Sequence, residues 1–201
     1  MFRRMANRHR RWELTLVLLS GAVVISPSVT AQPISVSATA NIDDTLHAWM
    51  SAYEYVPSEA EVRALGSVAE VSERLATVIV NPDADLVFRS RAISLSAAVG
   101  GESIHRALRQ VLVDSKTAPL LKRKLALVVS DVHLPEALPV LEQLAADADP
   151  TVRESAMTGL GRLGTMEAFH VIEKRRIQET KSFVKEAADR AMLEIRSRHQ
   201  R

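Results

Sequence analysis

A helix-opening phrase that returns at a period of roughly 32 residues constrains the fold of this 201-residue chain more than any other feature. Val152-Arg153 begins a helix with apolar positions Val152, Ala156 and Leu160, and Val184-Lys185 begins another with Ala188 and Met192. The same phrase stands upstream as Leu121-Lys122 with Leu125 and Val129, and as Phe88-Arg89 with Ala92. Phe88, Leu121, Val152 and Val184 thus hold one place in successive copies, with almost equal steps between them. A period of that length allows one helical hairpin per copy. A lone hairpin cannot bury both of its apolar faces, so the copies must stack into a solenoid. The fold class is therefore all-α: an α-solenoid of about four hairpins with capping helices at both ends.

The second helices follow the same period. Val71 and Ile104 are one period apart, as are Leu75 and Leu108, and Leu141 and Ile172 continue the series in the later copies. Hairpin one begins at Pro57-Ser58, has a short first helix ending near Gly66, and stops at Asn81-Pro82. Hairpin two turns at Gly100-Gly101. Hairpin three runs from Thr117 to about Asp147 and turns between Asp131 and Pro135. Pro139 fits only if the second helix starts near Glu136, which puts the proline in the first turn, where backbone donors are unpaired anyway. Hairpin four has Asp149 as N-cap, Pro150 at the first helical position and a turn at Gly164. A last helix, Lys181 to about Arg198, closes the stack.

Before the repeats, five arginines within residues 3–11 precede the apolar run Leu14–Ser26, and Val29-Thr30-Ala31 supplies small residues for cleavage. This pattern reads as a secretory signal over residues 1–31, cut between Ala31 and Gln32. The alternatives are an uncleaved anchor, for which the run is short of the roughly 20 residues a span needs, and a mis-assigned start. Membrane contact is expected only if the signal is uncleaved. Residues 32–41 form a polar tether, and Ile42, Leu46, Trp49, Met50 and Tyr53 lie along one side of a helix within 42–56. That helix reads as an N-terminal cap, with an aromatic docking patch as the alternative. The repeat domain is assigned to residues 57–198. The formal charge of +2 reflects the basic leader; the chain beyond it is close to neutral, with a slight excess of acids, so the charge does not point to a polyanionic partner. The chain has no cysteine, which excludes disulfides, thiol catalysis and thiolate metal sites.

The phrases Asp149-Pro150-x-Val152-Arg153-x-x-Ala156-x-x-x-Leu160-Gly161-x-Leu163-Gly164 and Val184-Lys185-x-x-Ala188 resemble the HEAT-like repeats of the bilin-lyase type. The resemblance covers about residues 57–196 and is thin in the first copy. It implies a ladder formed by the residue after the helix-opening Val: Arg89, Lys122, Arg153 and Lys185, with Asp85 and Asp149 as acid partners. The ladder is read as structural, the alternative being a basic stripe for an anion. Proteins of this type include bilin-attachment, DNA-base-excision and iron-dependent hydroxylation members, so the resemblance fixes no activity.

Motifs for chemistry are sparse. The hydroxylase members carry His-Glu pairs as iron ligands, and this sequence has none. His47, His105, His133, His170 and His199 do not occur three or four apart on one helix, as a helical metal site requires. They read as solvent-side residues, although His105 and His170 hold nearly equivalent repeat positions. Asp83 with Asp85, and Asp147 with Asp149, precede helices and read as caps rather than calcium ligands. Ser90, Ser94 and Ser96 lack a neighbouring base in sequence. Arg106, Arg109, Lys122, Arg123 and Lys124 form a basic cluster that reads as a solvated rim or a patch for an acidic partner.

These observations lead to an exported scaffold, periplasmic or secreted, that binds a protein through the face lined by its second helices. His105, Arg106, Arg109, Glu142 and His170 are the candidate partner-binding residues. The expected state is a monomer with no cofactor, no metal, no nucleic-acid partner and no enzymatic activity. The alternatives are a membrane- or wall-associated structural module, and a subunit, catalytic or not, of an envelope enzyme complex.

Overall fold

The computed structural model describes residues 41–52 and 54–200. The expected signal, almost all of the tether, and Tyr53 lie outside them. Within the described residues the chain is all-helical, with ten α-helices and no strand. Helix α1 (Ile42–Ser51) precedes four hairpins: α2 (Glu59–Ala64) with α3 (Val68–Val80), α4 (Leu86–Ser96) with α5 (Glu102–Val113), α6 (Pro119–Val128) with α7 (Ala137–Leu144), and α8 (Pro150–Leu163) with α9 (Met166–Gln178). Helix α10 (Ser182–His199) ends the stack.

Local chemistry sets most of the boundaries. Ser58 and Ser67 form reciprocal capping boxes with Glu61 and Glu70, so α2 and α3 each start on a serine hydroxyl and a first-turn carboxylate. Asp85 and Asp149 accept from the first backbone N–H groups of α4 and α8. Gly164 ends α8 in the left-handed conformation at φ 73°, where a Cβ would be strained. Pro139 lies in the first turn of α7, as the sequence required.

The hairpins stack in two layers. Helices α4, α6, α8 and α10 pack in succession, and the repeat positions Leu121, Leu125, Val152, Ala156, Leu160, Val184 and Ala188 are almost completely buried between them. Packing is tightest around α8. A Cβ built on Gly159 would meet the Ala126 carbonyl oxygen at 2.2 Å, and one on Gly161 would meet the Ala191 Cβ at 2.9 Å. The two glycines therefore let α8 approach α6 and α10 more closely than a side chain would permit. In the other layer α3 packs on α5 and α7 on α9, with Leu75, Leu108, Leu141 and Ile172 fully buried.

Helix α1 packs against α4, at the open end of the first-helix layer. Leu46, Trp49 and Met50 are its buried residues. Arg91 of α4 donates to the Met50 and Ala52 carbonyls, each at 2.6 Å, and Arg74 of α3 pairs with Asp43. The unpaired carbonyls at the end of α1 are thereby satisfied by a cation from the repeat beside it.

Candidate functional site

The basic positions of the repeat phrase mark where successive hairpins are joined. Lys122 Nζ lies 2.9 Å from Asp147 Oδ2, and Arg153 grips Glu179 through two hydrogen bonds of 2.7 and 2.9 Å. The expected acid partners, Asp85 and Asp149, are corrected: both carboxylates are committed to capping the helices that begin at the next residue. The true partners stand 25 and 26 residues downstream of their cations, in the connections between hairpins. Arg89 instead donates to the Ile79 carbonyl at 2.9 Å.

These acids belong to a second periodic series that the sequence reading misses. Asn81, Asp114, Asp147 and Glu179 each accept from the backbone N–H two residues ahead, at 2.9 to 3.0 Å. Each side chain thus shapes a connection, and the last two also hold the cation of the preceding first helix. Their spacing matches the repeat, and a search for Asx-type turns at that period would have found three of the four. Glu179 is the most enclosed: its side chain is 5% exposed, and its pKa is held down at about 2 by the Arg153 fork, helped by the Thr180 and Lys181 amides.

The five candidate partner-binding residues are not equivalent. His105 is half-buried rather than solvent-side, which corrects the sequence reading. Its Nε2 is 2.8 Å from the Val132 carbonyl in the α6–α7 turn. Arg109 holds Glu136 through two contacts of 3.2 and 3.1 Å and reaches Glu102 at 3.2 Å, which draws the Glu136 carboxyl below its ordinary range. His105 and Arg109 therefore tether α5 to the next hairpin. Arg106 is exposed, with a long 3.5 Å contact to Ser103; Glu142 is half-buried on α7; His170 is exposed, its ring edge against Phe169. The basic cluster is divided in the same way, because Lys122 and Arg109 are neutralised by acids and Lys124 faces the opposite layer beside Trp49.

Arg106 borders a concavity of about 280 Å³ between α3 and α5. Ala76 and Ala107 form its floor, and Glu73, Thr77 and Gln110 its polar rim. At the other layer, a cleft of about 450 Å³ runs between the Val56-Pro57 segment and the ends of α4 and α6, with Arg63, Asp131 and His133 on its rim. His133 has a positive φ of 53°, which histidine tolerates better than most residues. No three His, Asp or Glu side chains come together as a metal site among the described residues.

The family model for HEAT repeats matches residues 105–193, from α5 into α10. Over that stretch the chain is similar to HEAT repeats. The match leaves out hairpin one and α4, where the phrase is least regular. No curated protein sequence matches the chain. Among solved structures, human deoxyhypusine hydroxylase, determined with glycerol, is similar at a TM-score of 0.53 and 20% identity. The similarity covers 63% of this chain and 43% of that one, so the chain spans less than half of its length. At this identity the likeness concerns the fold alone. It nevertheless corrects the expectation that the chain is no enzyme. A HEAT solenoid of this kind carries a hydroxylase, so the architecture gives no ground for excluding catalysis. The physical reason is that chemistry resides in the side chains placed on a solenoid, and the stacking of its hairpins neither supplies nor forbids them.

Proposed function

We propose that the chain is an exported HEAT-repeat scaffold that binds a protein through its second-helix face, centred on the groove between α3 and α5. The observation that carries this reading is the groove itself: small side chains floor it, and the cation at its edge, Arg106, is paired with no acid among the described residues. A floor of alanines lets a partner's backbone or helix approach closely, while the Glu73, Thr77 and Gln110 rim supplies polar contacts for register. Glu142 and His170 extend the same layer along α7 and α9. Arg109 and His105 support the surface from beneath by fixing the next hairpin. The basic start, apolar run and small residues up to Ala31 support export.

The test is capture from the exported fraction of the source cell with the immobilised full chain. Three proteins are compared: the wild type, an Arg106→Glu/Glu142→Lys variant of the second-helix face, and a Lys116→Glu variant in a connection between hairpins. The altered positions avoid the Arg109–Glu136 and Lys122–Asp147 pairs, so folding is retained. A partner held by wild type and Lys116→Glu but lost by the face variant is the expected result. A partner retained by the face variant refutes the second-helix surface, and fractionation of the chain with the cytoplasm refutes export.

A further inference from the structure

The first-helix layer holds a pocket that the scaffold reading does not use. It measures about 350 Å³ and lies where the α1–α2 segment crosses α4 and α6. Trp49, Tyr55, Pro57 and Leu95 give it apolar walls, and two cations, Arg91 and Lys124, reach it. No aspartate or glutamate is among its lining residues. Arg91 and Lys124 occupy equivalent places in successive repeats, so the stacking of α4 on α6 brings them to one stripe of the layer.

The cations are prepared for a ligand in different ways. Arg91 is fixed, since its Nη1 donates to the Met50 and Ala52 carbonyls, while its Nε and Nη2 form no bond among the described residues. Lys124 forms no ion pair or hydrogen bond among the described residues, although the ladder cations Lys122 and Arg153 are neutralised by acids. The wall is fixed as well: the Tyr55 hydroxyl donates to Glu61 at 2.5 Å, and Glu61 is itself held by Ser58 in the capping box of α2. An apolar chamber with two convergent cations and no counter-charge is complementary to an anion with an apolar body. Its volume is at the lower end of the roughly 300–1,000 Å³ range of small-molecule sites.

We propose that this pocket binds a carboxylate with an apolar body, its charge between Arg91 and Lys124 and its body against Trp49, Tyr55 and Leu95. A planar carboxylate suits the one free edge of the Arg91 guanidinium, Nε with Nη2, better than a rounded anion does. The size fits a free acid of about a dozen non-hydrogen atoms, for which affinity in the micromolar to millimolar range is expected.

The test uses the full chain carrying Trp12→Phe, so that Trp49 is the one indole and its fluorescence reports the pocket. The probes are 4-phenylbutyrate, its uncharged amide, acetate, and an acetylated tripeptide ending in phenylalanine. Saturable binding of 4-phenylbutyrate is expected, weakened about tenfold or more in the amide, absent for acetate, and weakened comparably by Lys124→Glu. Lys124 makes no hydrogen bond or ion pair among the described residues that its replacement would break, and an unchanged helical circular dichroism spectrum confirms the fold. Equal binding of acid and amide, or binding unaffected by Lys124→Glu, overturns the charge assignment. Absence of saturation in the wild type overturns the site. Tighter binding of the tripeptide than of the free acid overturns the small-molecule assignment in favour of a protein C-terminus.

Discussion

Replacing Glu179 by glutamine should remove the most enclosed ion pair among the described residues and, with it, a defined part of the chain's acid sensitivity. The side chains of Arg153 and Glu179 are 17% and 5% exposed, and Arg153 also donates to the Asp147 and Ala148 carbonyls. The Glu179 carboxyl is held at about 2 in the fold, against an ordinary value of 4.5. Because the folded value lies below the unfolded one, the stabilisation is complete above pH 4.5 and is lost as pH falls toward 2. At about 1.36 kcal/mol per pH unit, the difference amounts to roughly 3 kcal/mol. Glutamine keeps the length and the carbonyl acceptor for the Thr180 and Lys181 amides. It offers the arginine no carboxylate, so the enclosed Arg153 keeps neutral hydrogen-bond acceptors and only the more distant charges of Asp147 and Asp149. At neutral pH the variant should therefore be about 2–4 kcal/mol less stable in urea unfolding, with hydrogen exchange of α9 and α10 amides accelerated first. The gap between wild type and variant should begin to narrow below about pH 5 and close only as pH approaches about 2. A gap below about 0.5 kcal/mol at neutral pH, or one that does not change with pH, would refute the reasoning.

Three further predictions concern packing and capping. Gly159→Ala forces a methyl group onto the Ala126 carbonyl, so α8 must move from α6 at a cost of about 1–3 kcal/mol or more in chemical denaturation; wild-type stability in this variant would show that the helices are not so close. Leu141→Ala, at a fully buried repeat position, should cost about 2–5 kcal/mol in the same assay. Ser67→Ala removes the hydroxyl that caps α3 and should cost about 1 kcal/mol, with faster exchange of the Glu70 amide as its local signature.

The repeat was legible because burial leaves a periodic trace in a single sequence. Leu75, Leu108, Leu141 and Ile172 recur at the repeat length and are all buried, and the signals at Asn81-Pro82, Asp149-Pro150 and Gly164 end or begin helices as expected. The exchange of Asp85 and Asp149 for Asp147 and Glu179 has a simple cause. A carboxylate before a helix can satisfy either the backbone or a cation, and the sequence does not say which. The position of Glu179 gave no warning either, since a glutamate at a helix end usually faces water.

Thus the sequence alone determined that the chain would form stacked helical hairpins, where most helices begin, and which apolar side chains go inside, because these depend on local propensity and on a period of burial. Tertiary structure decided which charges meet. It turned His105 and Arg109 into joints between hairpins, left Arg106 beside a groove, and brought Arg91 and Lys124 from separate helices to one pocket. Such pairings depend on the distance and rotation between neighbouring repeats, and those are set by contacts such as Gly159 against Ala126, which exist only once the stack has formed.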